Sequence, residues 1–412
     1  MPASSSVRIE RDALGDLAVP ADALFGVHTA RALLNLRFSR RTLGACPVYL
    51  RALARVKSAA ARANEAAGVL EPRIAGAIVR AARTVEAGAH ADQFPVDLLG
   101  GGGSIGVHMN VNEVLANLAN ETLGARRGEY APVRVLEHVS ASQSTADVCH
   151  TAARLAIRSL ARVLDAALVD AVAGLHAKAA ELAPVATLAR TCLRDALPVS
   201  AGVLVGGWAL LLERSRLELG RSVTSLDAIA LGGTVIGTGA GAPALYRERV
   251  VAILAELEGR DLTVRGDLAD ALQNGDDLVS VSRASVGIAN AMLKIGQDLR
   301  LLFSGPEGGF AEIELPHVQA GSSFFAGKSN PVVPETAIAC ALQVLGLDRV
   351  VQAAVERAEL HLHVFDGLAA ANLFDALELE ANAVALLDVR CLRGLRANEA
   401  RCRALAESAR TS

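Results

Sequence analysis

Residues 321–335 read GSSFFAGKSNPVVPE. One short loop holds two adjacent hydroxyls, Ser322 and Ser323, then a lysine, Lys328, and an amide, Asn330. Hydroxyls, an amide and a point cation are the groups that donate hydrogen bonds to an anionic small molecule. Two phenylalanines, Phe324 and Phe325, stand where polar residues would be ordinary for a loop. Three more polar clusters interrupt an otherwise apolar chain: GGGGSIGVHMNVNEV at 100–114, HVSASQSTADVCHTA at 138–152 and ARTCLRDALPV at 189–199. Each is expected at a helix boundary. An isolated Ser or Thr there is usually a cap, but four such clusters exceed what capping requires.

The elements that must position these clusters read as long helices. Proline is absent from 144–182, from 267–303 and from 335 to the C-terminus. In the second stretch Leu272, Val279, Val286 and Leu293 recur every seven residues, and Val281, Ile288, Ile295 and Leu302 form a second row roughly 200° around the axis. Two apolar rows predict a helix roughly 50 Å long, at about 1.5 Å per residue, buried on both sides within a bundle and stopped by Ser304-Gly305-Pro306. The chain, 412 residues and 52% hydrophobic, can fill two or three domains.

Several functions are disfavoured. A net charge of −3 gives no electrostatic reason for nucleic acid or an anionic membrane as partner. The six cysteines show no C-x-x-C spacing, so neither a zinc site nor a disulfide framework is expected. GGGGSIG lacks the preceding strand and βαβ setting of a dinucleotide site. No apolar signal core opens the sequence and no uninterrupted apolar run reaches membrane-spanning length, so a cytoplasmic location is expected.

The clusters, in this order, resemble the aspartase/class II fumarase superfamily over almost the whole chain. GSSFFAGKSNPVVPE resembles the signature G-S-S-x-x-M-P-x-K-x-N-P, and KIGQDLRLLFSGPEGGFAEIELPHVQ resembles the segment leading into it. RIERDALGDLAVPADALFGVHTARALLN resembles the opening segment, with GVHT in the aspartase form; IGTGAGAPALY leans the same way. The resemblance implies a mostly α fold whose long central helices form a bundle in a homotetramer, with each active site shared by three subunits. It implies elimination from a substituted succinate to release fumarate, and no cofactor or metal. The domains expected are a mainly helical N-terminal one at 1–139, the long-helix bundle at 140–396, and a short helical remnant at 397–412 where relatives continue into a small C-terminal domain.

By this resemblance Ser322 is the base, acting as an alkoxide, and Ser323, Ser144 and Thr145 bind the reacting carboxylate. Lys328 and Asn330 bind the other carboxylate, Thr191 lies beside the leaving group, and His138 and Glu335 are supporting residues. Removing a proton beside a carboxylate needs a strong base and preorganised donors for the doubly charged aci-carboxylate.

The departures gather at the leaving group. The family's Q-S-[ST]-N-D is QSTAD, with Ala146 for the asparagine that faces the amino group in aspartases. Cys192 stands for a His or Gln. GGSIGVHMN places Ile105 where a substrate threonine belongs and His108 where an asparagine belongs, with Ser104 a candidate to restore the hydroxyl. An ammonium needs three acceptors, and these changes remove several. The expected substrate therefore has another leaving group, such as nitrite from a nitrosuccinate or the amine of an N-substituted aspartate. Ordinary aspartate deamination is the alternative, and an inactive tetrameric scaffold of the same fold is a third reading. Phe324 and Phe325 are expected either to cap the site as hydrophobic lids or simply to pack the loop.

Overall fold

The computed structural model describes residues 6–408. A hairpin of β1 (Val7–Asp12) and β2 (Gly15–Pro20) leads to helices α1 (Val27–Asn35), α2 (Pro47–Ala66), α3 (Pro72–Glu86), α4 (Ile105–Thr122) and α5 (Thr145–Glu181). A second hairpin, β3 (Ala186–Thr191) and β4 (Arg194–Ser200), precedes α6 (Ala201–Val223). Then come β5 (Ala228–Ile229), α7 (Ala244–Glu258), β6 (Thr263–Val264), α8 (Leu268–Gln273), α9 (Asp276–Leu302) and β7 (Ile313–Glu314). The chain continues through α10 (Val332–Val355), α11 (Asp366–Arg390), β8 (Arg396–Ala397) and α12 (Glu399–Ser408). The fold is mostly α, and among the described residues the strands form two-stranded pairs: β5 with β6 is parallel, β7 with β8 antiparallel.

The chain divides into two compact units. The first comprises Met1–Ser159, Ser225–Val279 and Val351–Asn372; the second comprises Leu160–Thr224, Ser280–Val350 and Leu373–Ser412. In the first unit α2 packs against α3 and α7, and α3 against α4. Prolines 47 and 72 sit in the first turns of α2 and α3, where a missing N–H costs nothing. Ala59, Ala60 and Ala63 of α2 are fully buried, as are Ile78, Ala82 and Val85 of α3, the helix packed against it. The N-terminus of α1, the GVHT stretch, has no side-chain cap of its own. Glu113 of α4 supplies one, accepting from the N–H groups of Gly26, His28 and Thr29 and from the Thr29 hydroxyl.

The helix expected over 267–303 is two. Asp267 caps α8 by accepting from the N–H groups of Ala269 and Asp270, and the chain then breaks at Asn274-Gly275 before α9 begins. A Cβ at Gly275 would lie 3.1 Å from Val355 and 3.2 Å from the His363 ring, so the break exists where backbone must pass close to those side chains. Within α9, Val281, Ile288 and Ile295 are fully buried, whereas Val286 and Leu293 of the other row are only half-buried.

The cluster expected at a helix boundary at 189–199 is instead the β3–β4 hairpin. Thr191 pairs with Arg194, and the two connecting residues, Cys192 and Leu193, have φ of 52° and 58°. That geometry is a primed two-residue turn, normally built from Asn-Gly, and here it is imposed on two residues that are neither.

Candidate active site

The first unit holds Ser104, His108, His138, Ser144, Thr145 and Ala146; the second holds Thr191, Cys192, Ser322, Ser323, Lys328, Asn330 and Glu335.

In the second unit the 321–330 loop is tied at its base. Gly321 N–H donates to Lys328 O at 3.0 Å and Asn330 Nδ2 donates to Gly321 O at 2.6 Å, leaving the second amide proton of Asn330 without a role in the loop. A Cβ at position 321 would sit 2.6 Å from Lys328 O, so only glycine permits this closure. Inside the loop Ser322 Oγ accepts from Phe324 N–H at 3.0 Å and Phe325 N–H at 2.9 Å. Two backbone donors aimed at one oxygen favour its anionic form, which is what a serine base needs. Ser323 and Lys328 are exposed. The Phe324 and Phe325 rings meet edge to face with centroids 4.8 Å apart, and at 84% and 59% exposure they do not pack the loop against the protomer's core. Glu335, in the first turn of α10, pairs with Arg300 at 3.2 Å. Thr191 and Cys192 are exposed at the hairpin, whose base is held by Arg190 and Thr187 on Glu312, each at 2.5 Å.

In the first unit Ser104, Thr145 and Ala146 line one small cavity. Ser104 is the residue before α4, with φ of 71°, and its Oγ lies against Gly367, too close for a Cβ at that position. Ile105, 46% exposed, lines a separate cavity of about 610 Å3 beside His28 and Arg31. His138 Nδ1 accepts from Arg134 N–H at 2.9 Å, a local backbone contact within the turn at 135–139.

The structure adds a buried chain of polar groups behind Thr145. Lys57 Nζ lies 2.7 Å from His108 Nε2, 2.8 Å from Gln143 Oε1 and 3.4 Å from Val139 O. His108 Nδ1 lies 2.8 Å from Thr145 Oγ1. An ammonium only donates, so His108 Nε2 is assigned as acceptor and Nδ1 as the N–H that points at Thr145. The Thr145 oxygen is then occupied as acceptor and its own proton is free to be donated. Burial lowers the Lys57 pKa to about 7, and burial followed by the charge of Lys57 pushes His108 well below the usual histidine range, keeping the imidazole neutral.

Asp147 holds the other side of this cluster. It accepts from the N–H groups of Ser144, Gly232 and Thr234, at 2.9, 3.1 and 3.1 Å. Burial lifts its pKa to about 6 against these hydrogen bonds. One face of α5 continues into Arg154, fully buried, which forms paired contacts with Asp277 at 2.9 Å and with Asp366 at 2.6 and 2.7 Å. Burial alone would raise the carboxyl pKa values, but Arg154 holds both below the usual carboxylate range.

A family model described as Lyase matches residues 15–346. The aspartate ammonia-lyase of Escherichia coli (strain K12) is 38% identical over 401 residues, covering 97% of this chain and 84% of that protein. The chain belongs to the aspartase/class II fumarase superfamily. Among solved structures, a fumarate lyase:delta crystallin from Brucella melitensis superposes with a TM-score of 0.95 at 39% identity, covering 98% of this chain and 87% of that one. The recombinant class II fumarase from Schistosoma mansoni superposes with a TM-score of 0.94 at 29% identity, covering 97% and 87%. The family assignment and the mostly α fold expected from the GSSFFAGKSNP loop therefore hold, and the protein is a carbon–nitrogen lyase.

Lys57, Asp147 and Arg154 were not singled out from the sequence. A lone lysine within the alanine-rich α2, or an arginine within a long helix, looks solvated until the fold buries it. In this superfamily member the signal available for His108 was its place in the asparagine position of the glycine-rich cluster.

Proposed function

We propose that the protein eliminates a substituent from a 2-substituted succinate to release fumarate, with a leaving group other than ammonium. Ser322 takes the C3 proton as an alkoxide supported by the Phe324 and Phe325 amides. Ser144, Thr145 and Ser323 hold the reacting carboxylate, and Lys328 and Asn330 the other. The Lys57–His108 chain makes Thr145 a donor when charge develops on that carboxylate.

One observation carries the leaving-group reading: Ala146, where an amide would face an amino group, lies instead in an apolar cluster with Ala230, Ala271 and Leu272. An ammonium there loses the acceptor that the amide would supply, at a cost on the order of 1–3 kcal/mol if that proton goes unmet. The other reading, ordinary aspartate ammonia-lyase, is favoured by the 38% identity to enzymes of that name along 97% of the chain. The variant carrying Ala146→Asn and Cys192→His separates the two. Restored acceptors are expected to raise aspartate deamination relative to the preferred substrate by at least about tenfold in the ratio of kcat/KM, about 1.4 kcal/mol. A wild type already efficient on aspartate, with the double variant slower on it, would establish the second reading.

A homotetramer with composite sites is part of the proposal. It is supported by large apolar side chains left exposed on long helices of the second unit: Val163, Val203, Leu210, Leu217 and Leu342.

A further inference from the structure

His150 is buried, with 5% of its surface exposed, and neither ring nitrogen has a hydrogen-bond partner. Buried polar side chains are nearly always paired, so a histidine with both nitrogens unmet needs a reason. It lies four residues beyond Ala146 on α5, hence on the same face, and helical side chains lean toward the N-terminus. The imidazole is therefore directed to the space that an amide at 146 would occupy. Both residues line the same cavity of about 20 Å3, together with Ser104, Thr145 and Leu362. That volume holds one water-sized group.

We propose that this cavity is the leaving-group subsite and that His150 is the side chain that recognises the leaving group. The inference rests on the lyase reading above and deepens it by naming what the substituent must be. Burial, then the neighbouring Arg154 charge, lowers the imidazole pKa to about 4, so the ring is neutral and offers one acceptor and one N–H donor. Ala146, Leu272 and Leu362 offer apolar surface, and the carboxylate that also lines the cavity, Asp366, is already engaged by the Arg154 guanidinium at 2.6 and 2.7 Å. The pairing suits a 2-substituted succinate whose substituent is uncharged and small where it enters the cavity and accepts a hydrogen bond from the imidazole N–H, as one oxygen of a nitro group does. An ammonium only donates and would leave the imidazole N–H unmet. The Lys57–His108 chain stands behind Thr145, and His150 therefore selects the substituent while that chain serves the carboxylate.

The test compares wild type with His150→Leu and His150→Asn, an amide that retains a donor and an acceptor. Substrates are aspartate, N-methylaspartate and nitrosuccinate; succinate, which has both carboxylates and no substituent, serves as competitive inhibitor. For whichever substrate wild type prefers, kcat/KM is expected to fall about 30-fold or more in His150→Leu, with the inhibition constant of succinate within about threefold of wild type. His150→Asn is expected to recover at least half of that loss on a logarithmic scale. Equal losses for substrate and succinate, or an Asn variant as impaired as the Leu variant, would overturn the subsite and leave His150 a structural residue. Should His150→Leu fail to fold, the Asn variant decides alone: a succinate constant weakened as much as kcat/KM overturns the proposal, and a change in substrate preference with succinate unmoved supports it. No fumarate from any of the three substrates with wild type defeats the lyase reading and this inference together; turnover with selectivity indifferent to residue 150 defeats the inference alone.

Discussion

Replacing Ser322 by alanine is expected to lower turnover by about 10²–10⁴-fold, the usual range for a lost general base, while leaving the fold intact. Ser322 is half-buried at the start of an exposed stretch and the partners of its hydroxyl are two backbone amides of the same loop, so its removal opens no cavity and strands no buried charge. Steady-state kinetics together with a thermal melt check both halves. Activity within tenfold of wild type would remove Ser322 from the base role.

The largest stability effect is expected at Arg154. Its guanidinium is wholly buried and holds Asp277, at the start of α9, and Asp366, at the start of α11. Arg154→Leu removes the cation that the two carboxylates share and leaves Asp277 only the longer contact with Arg265, at 3.8 Å, and Asp366 that with His363, at 3.7 Å; breaking a buried pair in this way costs about 3–5 kcal/mol. Urea unfolding should show the midpoint falling with little change in slope. The pH dependence has a defined sign. Both carboxyls have folded pKa values held below their unfolded values, so their contribution is present above about pH 4, near the unfolded pKa, and is lost as pH falls through the folded values. In Arg154→Leu that acid-side loss should disappear, and stability should instead improve as the stranded carboxyls protonate. An unfolding free energy unchanged within about 1 kcal/mol would show that the ion pairs are not what joins these helix ends.

The long helices were legible in the sequence because proline-free apolar periodicity over many turns has few other solutions, and α5 begins and ends within a residue or two of the stretch from Ser144 to Leu182. The break at Asn274-Gly275 was not. Seven-residue spacing passes through it undisturbed, and the reason for the break is the passage of backbone beside Val355 and His363, which are distant in sequence. The β3–β4 hairpin was hidden because Cys192-Leu193 carries none of the Gly or Asn that announce a primed turn.

For the candidate site, the GSSFFAGKSNP loop was readable as a set because its donors are contiguous. Lys57, His108 and Thr145 come from three elements, and their hydrogen bonds exist only once α2 and α4 meet the start of α5. His150 could have been found from its spacing to Ala146, since a lost polar side chain invites a search at the positions three and four residues on.

The central claim, elimination to fumarate, is tested most directly by ultraviolet absorbance of fumarate when pure protein is given aspartate, N-methylaspartate and nitrosuccinate in turn. The account predicts fumarate from at least one of the substituted substrates, at a kcat/KM at least about tenfold above that for aspartate and abolished in Ser322→Ala. Fumarate formed efficiently from aspartate alone would contradict the leaving-group assignment, and no fumarate from any of the three would contradict the claim that this chain is a working lyase on substituted succinates.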